Sequence, residues 1–184
     1  MRKVVVSEMV SLDGFFEDAH HELGWQKLDE ELFEHSREML NAADTLLFGR
    51  VTFQIMAAYW PDSDDDAVIT HKMNYLSKIV FSHTLKKVDW NNSRVAGGNP
   101  EAEVARLKKE AGNDMLIFGS GKLVSQLAKA GLVDEYRLAV NPVVLGDGYS
   151  LFKGAEDPFT LDLIRTKVLK SGVVILYYRP GNTH

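Results

Sequence analysis

The residues best suited to chemistry are two short glycine-bearing stretches, Gly49-Arg50-Val51-Thr52 and Gly119-Ser120-Gly121-Lys122. Each ends an apolar run, Leu46-Leu47-Phe48 in the first case and Met115-Leu116-Ile117-Phe118 in the second. Each then leads into a segment of helix-forming composition. A strand that stops at glycine and opens into a helix presents backbone N–H groups at the positive end of the helix, where they can hold a phosphate. Glycine allows the backbone to approach closely. Arg50 adds a charged group with several donors, and Thr52 adds a hydroxyl. Two such sites suggest a ligand with more than one phosphate, and a dinucleotide is the natural candidate. The plainer alternative is a pair of tight strand-to-helix turns, one with a surface arginine.

The common phosphate-binding fingerprints do not fit. Gly121-Lys122 is followed by Leu123 and lacks the glycine spacing of a Walker A loop. In the second stretch, the third glycine of the dinucleotide fingerprint is replaced by Val124. Acid–base chemistry would need a carboxylate near the ligand. Asp29, Glu30 and Glu31 follow Trp25, and Asp13 lies in an Asp-Gly pair. The first three also suit the first turn of a helix, where acids complement the dipole. Asp13 also suits an ordinary turn. No metal site is expected: His20-His21 are adjacent, and Asp62 to Asp66 lacks the calcium-loop pattern.

These residues must be positioned by an α/β framework. Val4-Val5-Val6 belong to a first strand, Lys3 to Val10, and Leu12 to Gly24 reads as an acidic loop. Helical spacing runs from Lys27 to Ala42, then a buried strand from Thr45 to Phe48 and a short helix from Thr52 to Tyr59. A helix from Ala67 to Leu76 precedes a strand from Lys78 to Ser82. Asn99-Pro100 starts a helix that reaches about Ala111. Asp114 to Phe118 is a strand, Lys122 to Ala130 a helix, and Glu135 to Asn141 a strand. Phe159 to Leu169 and Val173 to Arg179 form a terminal hairpin. The alternation predicts one domain, residues 1–184, with a mostly parallel central sheet and an antiparallel C-terminal hairpin.

Composition sets the outer bounds. The chain has 184 residues, 45% of them hydrophobic, a net charge of −5 and no cysteine. Disulfides and thiolate zinc sites are therefore excluded, and a non-specific nucleic-acid binder is not expected. No apolar stretch approaches the roughly 20 residues that span a bilayer. A soluble cytoplasmic protein that acts on a small molecule is the expectation.

The chain resembles the dihydrofolate reductase-like family that includes the C-terminal reductase domain of bacterial riboflavin biosynthesis. The resemblance rests on Ser11-Leu12-Asp13-Gly14-Phe15, Leu47-Phe48-Gly49-Arg50-Val51-Thr52, Val80-Phe81-Ser82-His83-Thr84-Leu85, Ile117-Phe118-Gly119-Ser120-Gly121, and Leu132-Val133-Asp134-Glu135 leading to Pro142-Val143-Val144-Leu145-Gly146. It implies a three-layer fold, NADPH as cofactor and a homodimer. It places Gly49, Arg50 and Thr52 at the adenosine-side phosphates, Ser82 and His83 beside the ribose 2′-phosphate, and Gly119, Ser120 and Gly121 under the pyrophosphate, with Lys122 following. It makes Leu12 to Gly24 a flap over the substrate. It offers Glu30, Asp29 and Asp13 as groups that relay a proton or orient the substrate. The closest reaction implied is reduction of 5-amino-6-(5-phosphoribosylamino)uracil. Dihydrofolate reduction is the second option; Ala139 stands where classical folate reductases carry a threonine. A non-catalytic nucleotide-binding or ligand-sensing module is the reading from another class.

Overall fold

The computed structural model describes residues 2–152 and 158–181. Its framework is an eight-stranded sheet in the order β5-β4-β3-β6-β1-β7-β10-β9. The strands are β1 (Val4–Val10), β3 (Ala43–Gly49), β4 (Ser77–Phe81), β5 (Ser93–Ala96), β6 (Asp114–Phe118), β7 (Glu135–Val140), β9 (Leu161–Val168) and β10 (Val174–Pro180). All pairings from β5 across to β7 are parallel; β10 runs antiparallel to β7 and to β9. A mostly parallel sheet finished by an antiparallel hairpin is the architecture that the alternation of strand and helix predicts.

The sheet is buried on both faces, which explains why its strands read as apolar runs instead of alternating ones. Leu47, Met115, Ile117 and Ile79 pack with Val104 and Leu107 of α4 (Pro100–Leu107) and with Leu123, Val124 and Leu127 of α5 (Gly121–Lys129). Their neighbours Leu46, Phe48, Leu116 and Val80 turn the other way. They meet Met39 and Leu40 of α1 (Glu30–Ala42), Phe53 of α2 (Arg50–Tyr59), and Ile69 and Met73 of α3 (Ala67–Tyr75). Three layers result, with two helices on one face and three on the other.

Two strands lie where the sequence suggests only loop. Phe15–Asp18 forms β2, which pairs antiparallel with β8 (Gly148–Ser150) as a separate two-stranded ribbon. Both segments are short, Phe15-Phe16-Glu17-Asp18 and Gly148-Tyr149-Ser150, so neither carries a periodic apolar signal. Edge strand β5, Ser93-Arg94-Val95-Ala96, is hidden for the same reason. Helix starts also shift. Asp29 is the N-cap of α1, accepting from the Leu32 amide at 2.8 Å, so the helix begins at Glu30 and not at Lys27. α2 starts at Arg50 directly after Gly49, earlier than Thr52.

Candidate active site

The two glycine stretches meet at the carboxyl ends of adjacent strands β3 and β6. They are tied together reciprocally. The Gly49 amide donates to Ser120 Oγ at 3.0 Å, and the Ser120 amide donates to Thr52 Oγ1 at 3.0 Å. Ser120 is buried, and its hydroxyl also donates to the Phe118 carbonyl at 3.3 Å. Sequence gives no hint of this lock, because it joins positions on two different strand ends. Its effect is to set the N-termini of α2 and α5 side by side, each with first-turn amides that have no partner inside the helix.

Gly119 and Ser120 both adopt left-handed backbone angles, φ 56° and 59°. A Cβ at Gly119 would sit 3.0 Å from Thr52 Cγ2, and one at Gly121 would sit 3.3 Å from the Phe16 ring. The space beside both glycines is thus taken by Thr52 and Phe16, so neither position accepts a side chain without a shift of its neighbour. Phe16 comes from β2, so the ribbon packs directly over the second glycine stretch. Arg50 is exposed and holds Gln54 Oε1 at 2.9 Å through one nitrogen. Ser82 follows β4, one position past the residue that pairs with Gly49. Its hydroxyl accepts from the amides of Thr84 and Leu85 at 3.2 and 3.0 Å, which closes the turn, and leaves His83 exposed. Lys122 is the second residue of α5. The strand order thus collects Gly49, Arg50, Thr52, Ser82, His83 and Gly119 to Lys122 along one end of the sheet, which is where open α/β sheets bind ligands.

A cavity of about 450 Å³ adjoins this end. Thr52 and Gly119 belong to both the glycine turns and the cavity wall. Its floor is the end of β1, Ser7, Glu8 and Met9, and its walls come largely from α1, α2 and α3.

Glu8 is the residue that sequence reasoning missed. Its Oε1 accepts from the Met9 amide at 3.2 Å, whereas Oε2 is shielded from solvent and has no hydrogen-bond partner. Burial pushes its carboxyl up from 4.5 to about 8, against weaker pulls downward from the amides of Met9 and Gly119. It is therefore mostly protonated at neutral pH and can donate a hydrogen bond. The signal was present: a glutamate inside the run Val4-Val5-Val6-Ser7-Glu8-Met9-Val10 is a charge placed on a strand that must be buried.

The sequence profile of the RibD C-terminal domain matches residues 2–175. The chain belongs to the RibD C-terminal domain family. It is 34% identical over 180 residues to the uncharacterized protein YyaP of Bacillus subtilis (strain 168), covering 96% of this chain and 94% of that one. Among solved structures it is similar to a putative riboflavin biosynthesis protein from Shewanella sp. PV-4, with a TM-score of 0.78, 21% identity and coverage of 98% and 99%. It is also similar to dihydrofolate reductase from Enterococcus faecalis complexed with NADP(H), with a TM-score of 0.65, 12% identity and coverage of 98% and 97%. The fold is dihydrofolate reductase-like.

The carboxylates expected from sequence lie outside the wall of the cavity in this RibD C-terminal domain. Asp13 accepts from the Ser11 hydroxyl at 2.7 Å and from the amides of Leu145 and Gly146 at 3.1 and 2.8 Å. These bonds, the hydroxyl first, lower its carboxyl to about 2, so it stays ionised and pins the β1–β2 loop to the loop after β7. Asp29 is held below the usual carboxylate range by the Ser171 hydroxyl and by the Leu32 amide that it caps. Glu30 points outward, with its side chain 78% exposed and paired with Arg37. The structure does not bring these three together. It gives Asp13 and Asp29 anchoring bonds, and leaves Glu30 on the surface.

The remaining clusters have local partners. His21 Nδ1 lies 2.7 Å from Glu17 Oε2, and its ring stacks on Tyr149 at 4.2 Å. Asp65 pairs with Tyr59. Asp66 caps α3 and accepts from Arg37 at 2.6 Å. Among the described residues no group of histidines and acids is disposed to hold a metal ion, and no helix is long and apolar enough to cross a membrane.

Proposed function

We propose that this protein is a pyridine-nucleotide-dependent reductase of a small heterocyclic substrate, with NADPH as the hydride donor. The observation that carries this reading is the interlock of Gly49, Thr52 and Ser120. It sets two helix N-termini side by side at a tight glycine turn next to a cavity large enough for a substrate. A dinucleotide has the matching shape: phosphates for the helix ends, and a ring to place in the cavity. Bound reduced nicotinamide supplies a hydride.

In this reading the amides at the start of α2 and α5 hold the phosphates, and Arg50 moves from Gln54 to an adenosine-side phosphate. Ser82 and His83 border the adenosine ribose, and Lys122 adds charge beside the pyrophosphate. The β2–β8 ribbon covers the reacting end through Phe16 and excludes water. Asp13 and Asp29 act as positioning residues, one anchoring the ribbon loop and the other starting the helix that walls the cavity, and Glu30 stands outside on the first turn of that helix. Family membership, and the NADP(H) complex of the structurally similar dihydrofolate reductase, support a nicotinamide cofactor. The reduction of the phosphoribosylamino-uracil in riboflavin biosynthesis is the closest named chemistry. A homodimer and a cytoplasmic location are part of the same proposal.

Titration of NADPH and NADH against the purified protein tests it, followed by nucleotide fluorescence and by calorimetric heat. Micromolar binding of NADPH is expected. Arg50→Ala should weaken it by roughly tenfold, the scale of one charge-assisted phosphate contact. Absence of heat and of fluorescence change with either nucleotide would remove the reductase reading.

A further inference from the structure

The cavity has walls that do not suit a sugar phosphate. Leu32, Phe33, Met39, Met56, Trp60 and Ile69 make most of them apolar. Among the described lining residues Arg137 is the one permanent cation, and its Nε already donates to Glu135 Oε1 at 2.7 Å. His35 also lines the cavity, but burial, with Arg137, Lys167 and Arg165 nearby, holds its ring down to about 4, so it is neutral. Ala139 lines it too, without a hydroxyl. Acids are more numerous than cations: Glu8, Glu17, Asp65 and Asp66. A phosphate dianion brought here would leave water and meet carboxylates, with Arg137 the one cation on the described wall to offset the desolvation cost.

Among the shielded side-chain polar atoms of the described lining residues, one lacks a partner. Glu17 is matched by His21, Asp65 by Tyr59, and Asp66 by Arg37 and two amides. Glu8 Oε2 is shielded and unsatisfied at the end of β1, beside Gly119. An unmade hydrogen bond at a buried site is costly, and a ligand that completes it recovers that cost.

We propose that the cavity takes an uncharged, phosphate-free, mainly apolar ring compound whose carbonyl or imine acceptor is hydrogen-bonded by the Glu8 carboxyl. The volume of about 450 Å³ lies within the range of about 300–1,000 Å³ usual for small-molecule sites. As a statement about substrate, this rests on the reductase reading; as a statement about binding, it does not. It separates the chain from the phosphoribosyl substrate implied by the riboflavin resemblance, because that substrate carries a phosphate that this mainly apolar, acid-rich wall disfavours.

The test uses the full chain without nucleotide and two matched probes. One is 2-acetyl-6-methoxynaphthalene; the other carries a phosphate monoester in place of the methoxy group. Calorimetry at pH 7 should show the neutral ketone binding at least about tenfold more tightly than the ester. Affinity for the ketone should fall above pH 8 in the wild type, as Glu8 gives up its proton. Glu17 on β2, Asp65 and Arg137 on β7 also face the cavity. Of the other groups there, His35 on α1 is held down to about 4, Asp66 lies below the usual carboxylate range, and Tyr59 on α2 is raised above 10 by its bond to Asp65, so none of the three mimics this. Glu8→Gln keeps a donor of the same size, so it should bind the ketone within about threefold at pH 7 and lose the fall above pH 8. Equal or tighter binding of the ester, no binding of the ketone, or an unchanged pH profile in Glu8→Gln would each overturn the proposal. The separate NADPH titration keeps the two readings apart. Nucleotide binding with preference for the ester removes this inference alone; ketone binding without nucleotide binding removes the reductase reading alone.

Discussion

Glu8 concentrates the energetics of the site in one side chain. Its carboxyl is raised from 4.5 to about 8, so between those values the folded protein holds a proton that the unfolded chain has released. Stability therefore falls as pH rises through this window. The full penalty above pH 8 is about 5 kcal/mol on this shift, at 1.36 kcal/mol per unit. His35 works in the opposite sense. Its ring is lowered from 6.5 to about 4, so the fold gains stability as pH rises to 6.5 and nothing further beyond it. Lys78, lowered to about 8 by burial and holding the carbonyls of Asn74, Leu76 and Asn91, adds stability only above that pH. The interval from pH 6.5 to 8 thus isolates Glu8. Urea unfolding across it should show a falling midpoint in the wild type and a flat one in Glu8→Gln. The variant should also be the more stable protein at pH 8. Equal slopes in the two proteins would mean that the Glu8 carboxyl is solvated and ionised at neutral pH.

At the scale of elements, the turn after β6 decides whether two helix ends can act as one site. Gly119 at φ 56° has Thr52 Cγ2 at 3.0 Å from the position of a Cβ. Gly119→Ala should cost about 1–3 kcal/mol, from the left-handed backbone and the displacement of Thr52. Because Thr52 also holds the Ser120 amide, the same change should disturb α2 as well as α5. Thermal unfolding measures the first effect and nucleotide titration the second; a lower Tm with intact binding would place the phosphates elsewhere. This element also marks how far the sequence could be read. The apolar runs before Gly49 and Gly119 announce buried parallel strands, and the glycines announce the turns, since both are local signals. The reciprocal bonds between the turns are long-range and leave no local trace. The β2–β8 ribbon was illegible because four polar and aromatic residues pair with three across a large sequence separation. Helical spacing extends back through Leu28 to Lys27, three residues before the true start at Glu30, because spacing does not mark the cap at Asp29. With the start at Glu30, Asp29 is the cap and Glu30 and Glu31 are the first-turn acids.

At the scale of the molecule, the sheet has two edges with different character. β5 is short and polar. β9 is eight residues long, and Leu163, Ile164 and Val168 are exposed on it, Val168 at 72%. The register slips between Tyr177 and Tyr178 of β10, so β9 is bulged near Ile164, a device that discourages open-ended pairing along an edge. Arg165 lies over the Tyr177 ring at 3.7 Å and so anchors the strand from its polar side. A bulged edge with three exposed apolar side chains suits a closed, two-fold contact between two copies, in which each strand meets the same strand of its partner. The expected species is a dimer at micromolar concentration by sedimentation velocity. Ile164→Lys with Val168→Lys should convert it to a monomer by placing like charges across the axis. The proposed nucleotide end is built from β3, β4 and β6, well removed from β9 in strand order, so the monomeric variant should still bind NADPH. A wild-type monomer would leave the exposed apolar residues of β9 unexplained by self-association, and a dimer that survives both lysines would place the interface on another face. Loss of NADPH binding together with the dimer would show that the edge and the glycine turns are coupled through the sheet.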